Sequence, residues 1–352
     1  LALLAGALVL ADRPDIRPAG AAGAGVLAGL AFLTRSIGLA AVAGIPAALW
    51  WRGKRRPAAA ALGGSLALAI PWTAWLLWRG DAVDPRIASN YGTYMAAVGQ
   101  TGFLRVVTGI DLRAFAPPAR LAIPALPTAL WLVLAALLAA AVVWGAVAVA
   151  RRAPALVVTL GIYLAIVTVW PFTPDRFVWI ILPWLAMLGV AGALAVWRSQ
   201  RAWARLPVAA LAVALVLGYP RREIASLVER GFAATAEGIT VPFAVLIPAI
   251  TAELPPDAVI ASEDEALVYL YTGRRAVPSY LFRWTGRSTE SLSAERTVGF
   301  YCDAGVTHLA LSGPDAPAAP LLHELAARPD SPLTLQFRVT NGPALYRFRC
   351  PG

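Results

Sequence analysis

The sequence predicts an α-helical polytopic membrane domain followed by a small soluble α/β domain. Three observations carry this prediction. The 352-residue chain is 59% hydrophobic and 14% charged, where globular chains run at roughly half apolar and about a quarter charged. The apolar excess is confined to residues 1–219, and 220–352 reads as a water-soluble sequence, so a domain boundary is expected at Tyr219-Pro220-Arg221-Arg222. Beyond that boundary, strand and helix patterns alternate.

The membrane part reads as about seven spans or half-spans of the roughly 20 residues a bilayer needs. Leu1 to Ala11 is apolar but about half a span long, with no charged leader before it and no cleavage site. It is expected to be the remainder of a helix in a longer protein. Gly20 to Trp51 is apolar except at Thr34-Arg35-Ser36. As a single helix it would be about 48 Å long, against a hydrocarbon core of about 30 Å, with a charge at its centre. Two shorter helices meeting at Arg35 remove both difficulties and put Arg35 near a membrane face. Further spans are expected at 57–78, 126–150, 154–170, 177–197 and 206–219.

The formal charge of +10 is gathered largely into short clusters between these runs: Arg52, Lys54, Arg55 and Arg56, then Arg151 and Arg152, then Arg198, Arg201 and Arg205. Alternation of the spans puts these clusters, with 12–18, on one side. That is the positive-inside pattern. It places Arg35, the segments 79–125 and 171–176, and the whole C-terminal domain outside. Trp50 and Trp51 then mark an inner interface, and Trp72, Trp75 and Trp78 an outer one. The basic balance is thereby accounted for, and nucleic-acid binding is not expected, because no basic and aromatic surface motif accompanies it.

The long outer loop, 79–125, holds Asp81, Asp84, Tyr91, Tyr94 and Asp111 among interleaved apolar residues. It reads either as one or two short interfacial helices or as a solvated loop. In the soluble part, Ala258–Ser262, Arg275–Tyr280 and Val306–Leu311 read as strands. Glu263–Tyr271, Ala294–Ala304 and Leu321–Ala327 read as helices. Leu333–Val339 and Ala344–Arg349 read as a hairpin about Thr340-Asn341-Gly342-Pro343. Both cysteines, Cys302 and Cys350, lie here. They form a disulfide in an external domain, or stand as two buried thiols. His308 falls within a strand and reads as structural, and neither it nor His323 has metal-site spacing.

Gly25-xxx-Gly29 reads as close helix packing, since no strand precedes it as a dinucleotide loop would require. Walker, nucleophile-elbow and zinc motifs are absent from the sequence. The polar groups that remain at the outer face are Arg35, closing Gly29-Leu30-Ala31-Phe32-Leu33-Thr34-Arg35, and Arg176, in Asp175-Arg176-Phe177 with Leu182-Pro183 beyond. Guanidinium groups suit a phosphate or diphosphate headgroup because they bind its oxygens bidentately. The alternative is snorkelling, or pairing of Arg176 with Asp175.

These two motifs, with Leu254-Pro255-Pro256-Asp257-Ala258-Val259-Ile260 and Tyr269-Leu270-Tyr271-Thr272-Gly273-Arg274, carry a resemblance over nearly the whole chain. The chain resembles the C-terminal two-thirds of the multi-spanning, lipid-dependent glycosyltransferases of the GT-C group, in the style of bacterial protein mannosyltransferases and aminoarabinose transferases. The resemblance implies sugar transfer from a polyprenyl-phosphate donor to a lipid, glycan or protein acceptor on the external face of a bacterial inner membrane. It implies a catalytic carboxylate in a first external loop, and no residue of this chain matches it, so that acid is expected upstream of residue 1. Arg35 and Arg176 are the candidates for donor-phosphate binding. Asp81, Asp84, Tyr91, Tyr94 and Asp111 are candidates for acceptor or loop contacts. No cofactor is established by the residues, a divalent metal stays open, and the oligomeric state is not set by any of them. Two other functions compete: a transporter or flippase of a lipid-linked substrate, which would favour helices broken at mid-membrane and internal repeats, and a non-catalytic membrane scaffold.

Overall fold

The computed structural model describes residues 1–79, 87, 90, 128–168, 175–198, 202–231, 233–285 and 288–351. The chain divides into two compact units, Leu1–Ala82 with Gly102–Ala225, and Val83–Thr101 with Ser226–Gly352.

The first unit is helical. Its described helices are α1 (Ala2–Ala11), α2 (Pro18–Thr34), α3 (Leu39–Trp51), α4 (Arg55–Arg79), α5 (Thr128–Val149), α6 (Pro154–Thr168) and α7 (Asp175–Arg198), followed by α8 (Ala202–Val228). Small residues let these helices approach closely. A Cβ on Gly25 of α2 would lie 2.0 Å from the Ala61 carbonyl oxygen of α4. The expected Gly25 and Gly29 contact is therefore a seam between α2 and α4. A second seam joins α5 to α7, where a Cβ on Gly145 would fall 1.8 Å from the Leu188 oxygen and one on Gly192 2.0 Å from the Ala141 oxygen.

By length and composition, four described helical stretches can cross a membrane: Arg55–Arg79, Leu132–Val149, Phe177–Arg198 and Ala236–Glu253. Three lie in α4, α5 and α7. Their outward faces are apolar, with Val143, Trp144 and Val147 of α5 all more than half exposed. Such faces are compatible with an apolar solvent. α8 does not stop at Tyr219 but continues through Pro220 to Val228.

The second unit contains α9 (Ala234–Glu253) and a five-stranded sheet. The elements after α9 are β1 (Val259–Ser262), α10 (Glu265–Thr272), β2 (Arg275–Pro278), the hairpin β3 (Phe282–Thr285) and β4 (Ser288–Ser291), α11 (Ala294–Ala304), β5 (His308–Leu311), α12 (Ala319–Ala326), β6 (Leu333–Arg338) and β7 (Ala344–Phe348). The sheet order is β2-β1-β5-β7-β6. β2, β1 and β5 run parallel, and β7 and β6 close the sheet antiparallel. Phe243, Leu246 and Ile250 of α9 and Val268 of α10 cover one face, against Ile260, Ala310 and Leu345. Phe300 and Tyr301 of α11 and Leu322 of α12 cover the other, against Ala261, Leu309 and Phe348. The result is an α/β sandwich with helices on both faces.

Local signals set the helix limits. Asp264 caps α10 by accepting from the Leu267 amide at 3.1 Å, and Ser293 caps α11. Gly273 and Gly305 end these helices in the left-handed conformation, at φ 68° and 70°. Cys302 and Cys350 are joined by a disulfide that ties α11 to the end of β7.

Candidate functional site

The helical unit has two chemically different ends. One gathers the links 12–17, 52–54 and 150–153. Asp12 accepts from the Ala155 amide at 2.8 Å and the Leu156 amide at 3.2 Å, so it caps α6 from a distant part of the chain. Arg52 donates to the Ala11 carbonyl at 3.4 Å, and Lys54 donates to the Pro14 carbonyl. The segment 12–18 therefore meets 52–56 and the start of α6, which follows Arg151 and Arg152.

The opposite end holds the predicted arginines' segments. α2 stops at Thr34, whose hydroxyl donates to the Ala31 carbonyl at 2.7 Å. Arg35 is extended, with φ −155° and ψ 132°, and exposed. A short 3-10 turn, Ser36–Gly38, then leads into α3. Gly38 allows the turn, because a Cβ there would lie 2.5 Å from the Phe32 amide nitrogen. The apolar run thus breaks at its charge, as desolvation requires.

Tyr163 of α6, 2% exposed, links this break to the start of α7. Its hydroxyl donates to the Phe177 carbonyl at 2.9 Å, and Arg35 stands within electrostatic reach of it. Arg176 precedes Phe177 in the first turn of α7. Tyr163 is thus bonded to the residue that follows Arg176, and Arg35 lies within electrostatic reach of the same tyrosine. A lone tyrosine in an apolar run carries no sequence signal for this role.

Trp–Arg pairs mark both ends. The guanidinium of Arg55 lies 5.4 Å from the Trp50 ring centre, Arg79 5.2 Å from Trp78 and Arg205 5.8 Å from Trp197. Amphipathic rings with adjacent cations are the usual anchors at a lipid–water boundary.

Asp81, Asp84, Tyr91, Tyr94 and Asp111 lie outside the described residues, as does the side chain of Arg176. Of their loop, Ile87 and Asn90 are described, and both are helical. Within the second unit, Ile87 packs against the core around Leu281. Asn90 donates to the Tyr280 carbonyl at 2.6 Å and accepts from the Phe282 amide at 3.3 Å. Its amide group pairs with the chain as a neighbouring strand would. Sequence reading had no sign of this link, which spans 190 residues.

His308 opens β5, 6% exposed, with Nδ1 2.9 Å from the Thr307 hydroxyl. Burial and the facing Arg347 hold its pKa below the ordinary value. Among the described residues, no group of three or more His, Cys, Asp or Glu is placed to hold a metal ion. No protein-family model matches the chain, and no curated protein matches it at a significant level.

Proposed function

We propose that the protein is a membrane glycosyltransferase that moves a sugar from a polyprenyl-phosphate donor to a lipid, glycan or protein acceptor at the external face of a bacterial inner membrane. The observation that carries this reading is Tyr163, which bonds to Phe177 in the first turn of α7, next to Arg176, and stands within electrostatic reach of Arg35. It supports one cationic end, in a helical unit suited to lipid, where a phosphate headgroup could be held.

In the reaction the bond between the sugar's anomeric carbon and the phosphate oxygen breaks. The acceptor hydroxyl oxygen forms the new bond to that carbon, its proton passes to a general base, and the departing phosphate keeps the electron pair. Arg35 and Arg176 stabilise the charge that develops on the phosphate. The base is assigned to no residue of this chain. The Asn90 link to Tyr280 and Phe282 supports the companion reading that the loop 79–125 and the C-terminal domain share the external side.

The test is transfer by the gene product in membranes, supplied with a panel of radiolabelled polyprenyl-phosphate sugars. Arg35→Ala and Arg176→Ala are each expected to lower transfer by about 100-fold at equal expression, the scale of losing one oxyanion contact. Absence of transfer with every donor, or undiminished transfer in both variants, would contradict the proposal.

A further inference from the structure

The carboxyl ends of the parallel strands hold polar groups that the transferase reading leaves unused. Glu263 follows β1, Ser279 follows β2 and Ser312 follows β5. The ladders pair Ser262 with Pro278 on one side and with Ala310 on the other, so the three residues sit side by side along one edge of the sheet. The helix leaving β1, α10, packs on the α9 face, while the helix leaving β5, α12, packs on the other. Between β1 and β5 the connections therefore part. In open α/β sheets, ligands bind in the crevice at such a switch point.

Glu263 bridges this crevice. Its Oε2 accepts from the Ser312 amide at 3.0 Å. The Ser279 amide donates to the Ser262 carbonyl at 2.8 Å, and the Tyr301 hydroxyl donates to the Ser279 carbonyl at 2.5 Å. Two oxygens are left over. Glu263 Oε1 and Ser279 Oγ are both buried with no hydrogen-bond partner among the described residues, and Ser279 is 1% exposed. Unpaired buried oxygens are destabilising, and sequences keep them chiefly where function uses them. Gly313, next to Ser312, has open space where a Cβ would stand, with nothing within 4 Å of it.

We infer that this crevice of the C-terminal domain is a binding site for a neutral, hydroxyl-rich ligand, a sugar ring, held by Glu263 and Ser279. Sugar hydroxyls both donate and accept, and so complement a carboxyl oxygen and a serine hydroxyl together. A phosphate would face the Glu263 carboxyl directly and be repelled. The terminal torsion of a glutamate is soft, so Oε1 can turn outward to meet it. The site stands independently of the transferase reading.

The test uses the whole chain in a zwitterionic detergent free of sugar headgroups. Methyl glycosides of glucose, mannose, galactose, N-acetylglucosamine and arabinose are titrated by saturation-transfer NMR. At least one is expected to saturate, and Glu263→Gln and Ser279→Ala are each expected to weaken it by about fivefold, the loss of one hydrogen bond. Ser279→Ala is also expected to melt at or above the wild-type temperature, because it removes an unpaired hydroxyl. Failure of all five glycosides to saturate, or unchanged binding in either variant, overturns the inference. So does a lower melting temperature for Ser279→Ala, which would make that hydroxyl a structural partner.

Discussion

Arg274 shows how one side chain can hold two helices. It is 7% exposed, and its guanidinium donates to the carbonyls of Thr251 at 3.1 Å, Leu254 at 2.5 Å and Pro255 at 3.1 Å, with Thr272 at 3.4 Å. Thr251 and Thr272 stand in the last turns of α9 and α10, where carbonyls have no partner within the helix, and Leu254 and Pro255 follow α9 directly, the Pro255 carbonyl also accepting from the Ala258 amide at 3.1 Å. Arg274→Ala is expected to cost the C-terminal domain about 3 kcal/mol, measured by denaturant unfolding, because it removes a buried guanidinium that donates to several carbonyls, that of buried Leu254 among them. His308 makes stability depend on pH. Its folded pKa lies below the ordinary 6.5, so the unfolded chain takes up a proton first as pH falls. The contribution is fully present above 6.5 and is lost as pH drops from there toward the folded value. Glu263 acts in the opposite sense. Its pKa is raised above 4.5, mainly by burial, so its contribution is present below 4.5 and is lost as pH rises through the folded value. Melting temperature recorded against pH is expected to show a shallower acid loss in His308→Gln and a smaller loss on raising pH in Glu263→Gln.

At the scale of elements, the glycine seams decide which helices pair. On Gly145 the obstructing atom is a backbone oxygen at 1.8 Å, which no rotamer change can move aside. Gly145→Val is therefore expected to force α5 and α7 apart and cost about 3 kcal/mol, seen as a lower midpoint in thermal unfolding of the detergent-solubilised chain. Gly161→Ala, on α6 with open space around its Cβ, is expected to leave the midpoint unchanged. Much of this level was legible in the residues. A charge in the middle of an apolar run predicted the break at Arg35. Gly273 and Gly305 marked helix ends, and Asn341-Gly342 marked the β6–β7 turn. The β3–β4 hairpin was not legible, because Ser288-Thr289-Glu290-Ser291 has no apolar alternation to signal a strand. α9 was missed because Pro242 and Pro248 interrupt the stripe of Phe243, Leu246 and Ile250. Of the candidate site, Arg35 and Arg176 stood out as charges in apolar surroundings. Tyr163 and Asn90 did not, because their roles arise only when distant segments meet. Glu263 read as an ordinary helix-start residue, and the sheet alone reveals its position at a switch point.

For the whole molecule, the two ends of the helical unit carry the account. Asp12, Arg52 and Lys54 gather the basic links at one end, while the Arg35 break, Tyr163 and the start of α7 lie at the other. The functional proposal needs the second end and the C-terminal domain on the outer side of the membrane. The disulfide between Cys302 and Cys350 accords with an oxidising exterior, and it leaves no free cysteine in the chain. A single introduced cysteine can therefore report its side without background. The deciding measurement is labelling with a membrane-impermeant maleimide in intact spheroplasts, at the exposed positions Ser36→Cys, Asp330→Cys and Arg152→Cys. Residues 36 and 330 are expected to label from outside, and residue 152 only after permeabilisation. Labelling of 152 in intact spheroplasts, or of 330 only after permeabilisation, would contradict it.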